Sequence, residues 1–306
     1  MKRSLVLLMG LLSLALAQPY RVTDATGKEV SVRSLERIVS LGGGVTELLF
    51  ALGLGDRVVA RDTSSYFPPA VLSRPDVGLF FRLNAEAILA QRPTVVFGAE
   101  GSGPPPVLAQ LAAAGVPVVI VPEPSDVEGA KRKIRLLAQA TGRTARGEEI
   151  VRGLERDLLA LRSKLSLVQG KKPRTLYIYP RDPRNTFICG NEASGAALIN
   201  LAGGVNAGGA IQAAAGLRGC APISAEAVVA ARPEVILVPF FPDQPVSLEA
   251  VLRLPGVAQT PAGQQGRVVA MEVLYLSTFG HRVGRAALDL HNALFERQGF
   301  VRISGQ

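Results

Sequence analysis

The sequence predicts an α/β protein of two similar lobes joined by a long helical segment, and three observations carry this prediction. Short β-branched runs alternate with helical patterns in both halves of the 306-residue chain. A long, charged stretch with helical periodicity separates these halves, and one twelve-residue segment occurs twice at a constant offset of 140 residues. Because alternating strands and helices are typical of parallel sheets covered by helices, we expect a mostly parallel sheet in each lobe.

The first half of the chain contains four apolar runs that have the length and composition of buried strands. They lie at 38–41, 57–60, 94–98 and 116–121. Helical patterns fill the gaps between them, at 45–52, 84–91 and 106–114. Gly53 and Gly115 directly follow the first and third patterns, and Pro93 lies two residues after the second; Gly and Pro are common stop signals for a helix. We therefore assign residues 18–122 to a first α/β lobe.

The middle of the chain is charged, and its apolar residues recur at helical spacing from Ser125 to about Val168. This pattern predicts one long helix or two abutting ones. Its weak points are Gly142, Gly147 and Gly153, because a Gly inside a helix costs up to about 1 kcal/mol relative to Ala. We assign residues 123–170 to this connecting helix.

The alternation of strands and helices resumes after the connector. Strand patterns occur at 175–179 and 234–240, and helical patterns at 195–201 and 283–297. We therefore assign residues 171–306 to a second α/β lobe.

The duplicated segment reads NAEAILAQRPTV at 84–95 and SAEAVVAARPEV at 224–235, with seven of twelve positions identical. Each copy begins with a good helix N-cap residue, Asn84 or Ser224, and ends with a Pro just before a buried strand. Glu86 and Glu226 fall in the first helical turn, where the helix dipole favours an acid. The favourable position in the first turn is enough to explain why Glu occurs at 86 and 226, and it is compatible with a second role for both side chains.

The N-terminus has the features of a secretory signal peptide over residues 1–17. Lys2 and Arg3 precede an apolar run that ends at the small residues Ala15 and Ala17. That run is shorter than the roughly 20 residues that span a bilayer, which disfavours a membrane anchor. No cysteine lies near the cleavage point, so we expect a periplasmic protein that is not lipid-anchored.

Composition and motifs argue against nucleic-acid binding and catalysis. The net charge of +9 is scattered, and its densest cluster, within 131–135, lies on a predicted helix and is interpreted as a solvated face. The glycines at 42–44 lack the spacing of a nucleotide-binding loop, and neither a nucleophile elbow nor an H-E-x-x-H motif occurs. We expect a protein that is not an enzyme, with the Gly run as a tight strand-to-helix turn.

The two cysteines, Cys189 and Cys220, leave two alternatives open. In an exported protein they form one disulfide or remain two buried thiols. Together with His281 and His291, the only histidines, they do not have the spacing of a zinc site.

Three runs carry a family resemblance: RIVSLGGGVTELLFALGLGDRVVARDTSSYFPP, VGLFFRLNAEAILAQRPTVVF and ISAEAVVAARPEVILV. They resemble the helical-backbone class of periplasmic solute-binding proteins, which deliver haem, cobalamin or ferric siderophores to ABC importers. The resemblance covers nearly the whole chain after residue 17. It implies two Rossmann-like lobes with a ligand cleft between them, a monomer without a catalytic cofactor, and a permease dimer in the inner membrane as partner.

The loop DTSSYFPP at 62–69 most resembles the haem-binding branch of that family, which implies haem as the transported ligand. There, Tyr66 would ligate the ferric iron axially, since a phenolate is an anionic donor with precedent at haem iron. The resemblance also implies porphyrin contacts from Phe67, Phe80 and Phe81 and a propionate contact from Arg82. Without the resemblance, composition favours a structural role for Tyr66, as an aromatic residue that stacks on the lobe surface in a turn before two prolines.

The second lobe offers candidates for the facing wall of the cleft. Some haem binders place a His after the strand that reads TLYIY here, whereas this chain has Tyr179-Pro180-Arg181. Tyr179 and Arg181 are therefore candidate ligand contacts, or simply an edge-strand pair, and the second axial ligand stays open. Phe240 ends the next strand, and His281 opens the last helix, where a purely polar contact is its alternative role.

The resemblance gives Glu86 and Glu226 a second role, in salt bridges with arginines of the membrane permease. It also leaves two other ligands open. The segment SSYFPP is similar to the corrinoid-binding branch too, although those proteins commonly use Trp and this chain has none. A ferric siderophore is the other alternative.

Overall fold

The computed structural model describes residues 19–182, 185–211, 219–244, 246–296 and 299–305, without the side chains of 181–182. The predicted signal peptide, residues 1–17, lies outside the described residues. Within the described part of the chain, no helix is long and apolar enough to cross a membrane.

The first lobe begins with an antiparallel hairpin of β1 (Tyr20–Thr23) and β2 (Glu29–Val32). Asp24 ties this hairpin to the lobe, because its carboxylate accepts the backbone N–H of Ile120 at 3.2 Å. The central sheet is parallel with the order β4-β3-β5-β6. Its strands are β3 (Ile38–Leu41), β4 (Val58–Arg61), β5 (Val95–Ala99) and β6 (Val118–Val121).

Helices cover both faces of this sheet, as the uninterrupted apolar strands require. They are α1 (Gly43–Ala51), α2 (Ala85–Leu89) and α3 (Pro105–Ala113). Alternate strand residues divide between two cores: Ile38 packs with residues of α1 and the connector, whereas Val39 packs with residues of α2 and α3. Both side chains are fully buried.

The connector consists of two helices, α4 (Val127–Ala140) and α5 (Thr144–Leu167). The break falls at Gly142, whose φ of 63° lies in the left-handed region that Gly adopts readily. Lys131 of α4 pairs with Glu155 of α5 at 2.9 Å. The interpretation of the basic cluster as a solvated face is wrong for Lys133, which is fully buried because its ammonium binds the Glu123 carboxylate at 2.8 Å.

The described residues of the second lobe form a seven-stranded, mostly parallel sheet. Its main order is β10-β8-β7-β11-β12-β13, and β9 pairs with β7. Only β8 runs antiparallel to its neighbours, β7 and β10. The strands are β7 (Arg174–Asp182), β8 (Asn185–Cys189), β9 (Val205–Asn206), β10 (Cys220–Pro222), β11 (Val235–Phe240), β12 (Val268–Glu272) and β13 (Phe300–Ile303).

Cys189 and Cys220 lie directly opposite each other on β8 and β10 and form a disulfide, which settles the alternatives left by the sequence. Six α-helices within the described part of this lobe accompany the sheet. They are α6 (Ser194–Leu201), α7 (Ala225–Ala231), α8 (Leu248–Leu252), α9 (Pro261–Gln264), α10 (Val273–Ser277) and α11 (Val283–Phe295).

The duplicated segment forms the same structure in both lobes. Asn84 and Ser224 cap α2 and α7, each accepting the backbone N–H three residues later at 3.1 Å. Arg92 and Arg232 then take left-handed backbone angles, with φ of 48° and 44°, before β5 and β11 begin. The similarity of sequence therefore extends to the capping bond and the turn that feeds each strand.

Candidate ligand-binding site

A cavity of about 850 Å³ lies between the two lobes, at the carboxyl ends of the strands of both sheets. This is the usual place for a ligand in open α/β sheets. The lining residues are Gly42, Gly43, Gly44, Ser64, Tyr66, Phe80, Phe81, Ala99, Glu100, Gly101, Glu123, Pro124, Ser125, Tyr177, Tyr179, Glu192, Ala193, Ser194, Cys220, Phe241, Val273, Leu274, Ser277 and Thr278.

A buried carboxylate, Asp62, organises the first-lobe wall. It follows β4 and accepts the backbone N–H of Gly42 at 2.8 Å and that of Ser64 at 3.0 Å, together with the hydroxyl of Ser65. A Cβ added at Gly42 would lie 2.6 Å from the Cβ of Ala99, so only Gly permits this close approach. These bonds fix the turn at 42–44 and the loop that carries Tyr66.

Tyr66 lines the cavity with its ring and donates its hydroxyl to Glu272 Oε1 in the second lobe. Burial, followed by the charge of Glu272, raises the pKa of Tyr66 well above its usual value. Glu272 is itself fixed, because its carboxylate caps α10 by accepting the backbone N–H groups of Leu274 at 2.7 Å and Tyr275 at 2.9 Å. The phenol is therefore protonated and attached to a rigid acceptor.

A buried ion pair joins the lobes beside this bond. Arg282, just before α11, donates from Nε and Nη2 to the two carboxylate oxygens of Glu47 in α1, at 2.9 and 2.5 Å. The exposed fractions of these side chains are 15% and 3%. Burial raises the pKa of Glu47 to about 7, although Arg282 acts to lower it. The guanidinium also lies 4.2 Å from the ring centre of Phe67. We call Glu47, Tyr66, Glu272 and Arg282 the floor cluster.

Aromatic rings from both lobes form the walls above this cluster. Phe80 and Phe81 meet edge to face with ring centres 5.4 Å apart, and Tyr177 and Tyr179 do so at 6.5 Å. Phe241 adds a fifth ring. Such walls suit a flat, largely apolar ligand, because aromatic side chains bury a large area in defined orientations.

The described part of the lining contains three carboxylates, from Glu100, Glu123 and Glu192, and no Lys or Arg. Lys133 lies just behind it, bonded to Glu123. No cluster of three or more His, Cys, Asp or Glu side chains among the described residues is placed to hold a metal ion.

The structure brings four of the predicted contact residues together in the cavity lining, namely Tyr66, Phe80, Phe81 and Tyr179. Arg82 is exposed and follows Phe81 directly. The other predicted residues do not line the cavity or lie outside the described part.

Phe67 packs under the guanidinium of Arg282 rather than along the lining. Phe240 is buried within the second lobe, where Arg302 stacks over its ring at 4.1 Å, and its neighbour Phe241 lines the cavity instead. The side chain of Arg181 lies outside the described residues.

His281 also lies off the lining, and the residue as a whole is half-buried. Burial, with smaller contributions from the positive charges of Arg282 and Lys133, lowers the pKa of His281 to about 3. The imidazole is therefore neutral at physiological pH.

The two acids of the duplicated helices differ from those of the floor cluster. Glu86 and Glu226 are both exposed in the first turn of α2 and α7. Neither forms an ion pair with any residue that the structure describes. Both carboxylates are therefore accessible to a partner.

Sequence patterns did not identify Glu47, Glu272 or Arg282. Glu47 lies within a predicted helix, and its partner Arg282 is 235 residues away. The one local signal is at Glu272, since an acid at the end of an apolar strand and before a helix is placed to cap that helix.

A model of the family described as "Periplasmic binding protein" matches residues 38–273. Among solved structures, the "Periplasmic heme-binding protein RhuT from Roseiflexus sp. RS-1 in apo form" is 39% identical, with a TM-score of 0.78 over 85% of this chain and 98% of that chain. A "Vitamin B12-binding protein" of Yersinia pestis (strain Pestoides F) is 28% identical over 67% of this chain and 70% of that protein.

Another relative, the "Uncharacterized ABC transporter substrate-binding lipoprotein YvrC" of Bacillus subtilis (strain 168), is 23% identical over 90% of this chain and 86% of its own length. The family match spans both lobes and the connector between them. This chain therefore belongs to the periplasmic binding protein family.

Proposed function

We propose that this protein is the solute-binding component of an ABC importer, which captures haem (hemin) in the periplasm and delivers it to the membrane permease. The observation that carries the proposal is the position of Tyr66, whose phenol lies in an aromatic cavity between the lobes. A tyrosine phenolate is an established axial ligand of haem iron. The likeness to a protein named as heme-binding supports the same ligand.

The cavity suits a porphyrin in size and chemistry. Its volume of about 850 Å³ lies within the usual range for small-molecule sites, roughly 300–1,000 Å³. Phe80 and Phe81 would contact the macrocycle from the first lobe, and Tyr179 from the second. On ligation, the O–H bond of Tyr66 breaks, an O–Fe(III) bond forms, and the proton passes to bulk water.

The charges of the lining favour one orientation of the haem. Glu100 and Glu192 would repel the two propionates, because like charges in a partly dehydrated cavity interact strongly, whereas Lys133 compensates the charge of Glu123. We therefore place the propionates towards the solvent, near the exposed Arg82, which presents a guanidinium suited to a carboxylate. Arg181 is the candidate partner on the second lobe.

Delivery needs contact with the permease, and we assign this contact to Glu86 and Glu226. Their exposure, their lack of ion pairs within the described residues and their equivalent places in α2 and α7 support this role. A two-fold permease dimer would meet one acid from each lobe of a monomeric binding protein.

The test of the ligand is a titration of the purified protein with haemin, followed by visible absorption. The wild type is expected to give a Soret band and the charge-transfer bands of phenolate-ligated ferric haem, and Tyr66→Phe to lose those bands. Tyr20→Phe is the matched control, since Tyr20 is an exposed tyrosine outside the cavity lining. An unchanged spectrum in Tyr66→Phe would remove Tyr66 as the iron ligand.

Cobalamin is the second candidate, because one relative is named as a vitamin B12-binding protein. The two are separated by repeating the titration with cyanocobalamin. A protein that binds cyanocobalamin and takes up no haemin would establish the second candidate. Binding of a ferric siderophore in place of both would contradict each of them.

A further inference from the structure

The hydroxyl of Tyr66 is already bonded across the cleft, and this bond bears on how haem would be captured. Its acceptor is Glu272, which lies 206 residues later in the chain, at the end of β12. The inference drawn from this bond rests on the proposed function, in which the same phenol oxygen ligates the haem iron.

Glu272 is held in place independently of Tyr66. One of its oxygens accepts the backbone N–H of Leu274 at 2.7 Å, and the other accepts that of Tyr275 at 2.9 Å. Arg282 lies 4.0 Å from the second oxygen. Because two backbone N–H groups of the second lobe hold its carboxylate, Glu272 stays in place when the phenol moves.

Glu272 and the haem iron require different protonation states of the Tyr66 phenol oxygen. Glu272 accepts a proton that the phenol carries, whereas iron ligation removes that proton. A phenolate and a carboxylate left at hydrogen-bonding distance would repel each other in this half-buried place. Tyr66 must therefore turn away from Glu272 when its oxygen binds iron.

We propose that Glu272 is a positioning residue that latches Tyr66 to the second lobe, and that haem binds by displacing this latch. The latch lowers the affinity of the cleft for haem, and it re-forms when the iron leaves. The ion pair of Glu47 and Arg282 does not include Tyr66, so it keeps the lobes together while the latch is open.

The test is Glu272→Asp, which keeps the negative charge and a favoured N-cap residue for α10 while removing one methylene of reach. In this variant the haem-free protein lacks the hydrogen bond from Tyr66 to the carboxylate, which haem must break in the wild type. Haemin is therefore expected to bind about ten- to a hundredfold tighter than to the wild type, since a hydrogen bond to a charged group contributes that much. The spectrum of phenolate-ligated haem is expected to be unchanged. The matched control is Glu249→Asp, which shortens an exposed carboxylate in the first turn of α8, outside the cavity lining, and is expected to bind as the wild type does.

Two further variants keep the test decisive. Glu272→Ser also offers a good cap without the reach to Tyr66, so it is expected to tighten binding too, even where Glu272→Asp fails to fold. In a Tyr66→Phe background, Glu272→Asp is expected to give no gain, because the phenol that it releases is absent.

Unchanged or weaker haemin binding in both Glu272 variants would overturn the latch, and so would a gain that persists without the Tyr66 hydroxyl. These results do not contradict the proposed function, provided that the single variant Tyr66→Phe loses the bands of phenolate-ligated haem. A Tyr66→Phe variant that keeps those bands contradicts the iron-ligand role itself, so the two failures are distinguishable.

Discussion

The floor cluster and the duplicated helices each contain two glutamates, yet the two pairs have different roles. In the floor cluster, Glu47 is paired with Arg282, and Glu272 binds Tyr66 and two backbone N–H groups. In the duplicated helices, Glu86 and Glu226 are exposed and have no ion pair within the described residues. The paired acids hold the lobes and the site together, whereas the unpaired acids are free to contact another molecule.

The largest expected effect comes from breaking the buried pair. Removing one partner leaves an uncompensated buried charge, so Glu47→Ala or Arg282→Ala should lower the free energy of unfolding by about 3–5 kcal/mol. Chemical denaturation measures this loss. Glu86→Ala is the control from the other region, and its effect should stay within about 0.5 kcal/mol. Equal effects at both sites would remove the distinction between the two regions.

The disulfide beside the cavity should have the next largest effect. Cys189 and Cys220 are 31 residues apart, and Cys220 lines the cavity. Replacing both with Ala should lower the free energy of unfolding by about 2–4 kcal/mol, since the unfolded chain regains the freedom of the closed loop. A reducing agent should destabilise the wild type and leave the double variant unchanged. A double variant as stable as the wild type would contradict this expectation.

The titrating groups near the floor predict opposite pH dependences. His281 has a pKa of about 3 in the fold against a usual 6.5, so the unfolded chain binds more protons and stability falls as pH drops below about 6.5. Glu47 has a pKa of about 7 against a usual 4.5, so the fold binds more protons and stability rises as pH drops from about 7 to 4.5. The two contributions offset each other between pH 4.5 and 6.5.

His281→Asn should therefore expose the contribution of Glu47. This variant is expected to gain stability on acidification from pH 7 to 4.5, by at most about 1.4 kcal/mol per pH unit. Denaturation midpoints at several pH values measure the change. A profile that matches the wild type at every pH would show that His281 does not titrate as expected.

The smallest effects on the protein itself are expected at the duplicated helices. Glu86→Lys and Glu226→Lys should leave the free energy of unfolding within about 0.5 kcal/mol and haemin affinity unchanged, because both side chains are exposed. Transport into vesicles that contain the permease should nevertheless fall. A variant that loses ligand affinity and transport in equal measure would contradict the docking role.

The sequence predicted the features that depend on local pattern. The strand at 38–41 has the predicted bounds, and the duplicated helices begin at the predicted caps. Of the connector glycines, Gly142 breaks the helix, whereas Gly147 lies inside α5. A Cβ at Gly147 would meet the Cβ of Ala138 in α4 at 2.4 Å, so the close approach of the two helices requires Gly there. The hairpin at 20–32 and the strands β8, β9, β10, β12 and β13 were not predicted.

The site was less predictable, because its contacts join distant parts of the chain. The aromatic lining followed from the resemblance, but the partners of Tyr66 and Glu47 lie 206 and 235 residues away. Phe240 shows a second limit. Neighbouring residues of an extended segment point to opposite faces, so a difference of one residue places Phe241 on the cavity and Phe240 inside the lobe.

The most direct test of the haem assignment is a crystal structure of the haemin complex with anomalous data at the iron edge. We predict an iron peak at bonding distance from the Tyr66 hydroxyl oxygen, with that oxygen turned away from Glu272 and the Glu47–Arg282 pair intact. An iron peak elsewhere, with Tyr66 still bonded to Glu272, would contradict both the ligand role of Tyr66 and the latch.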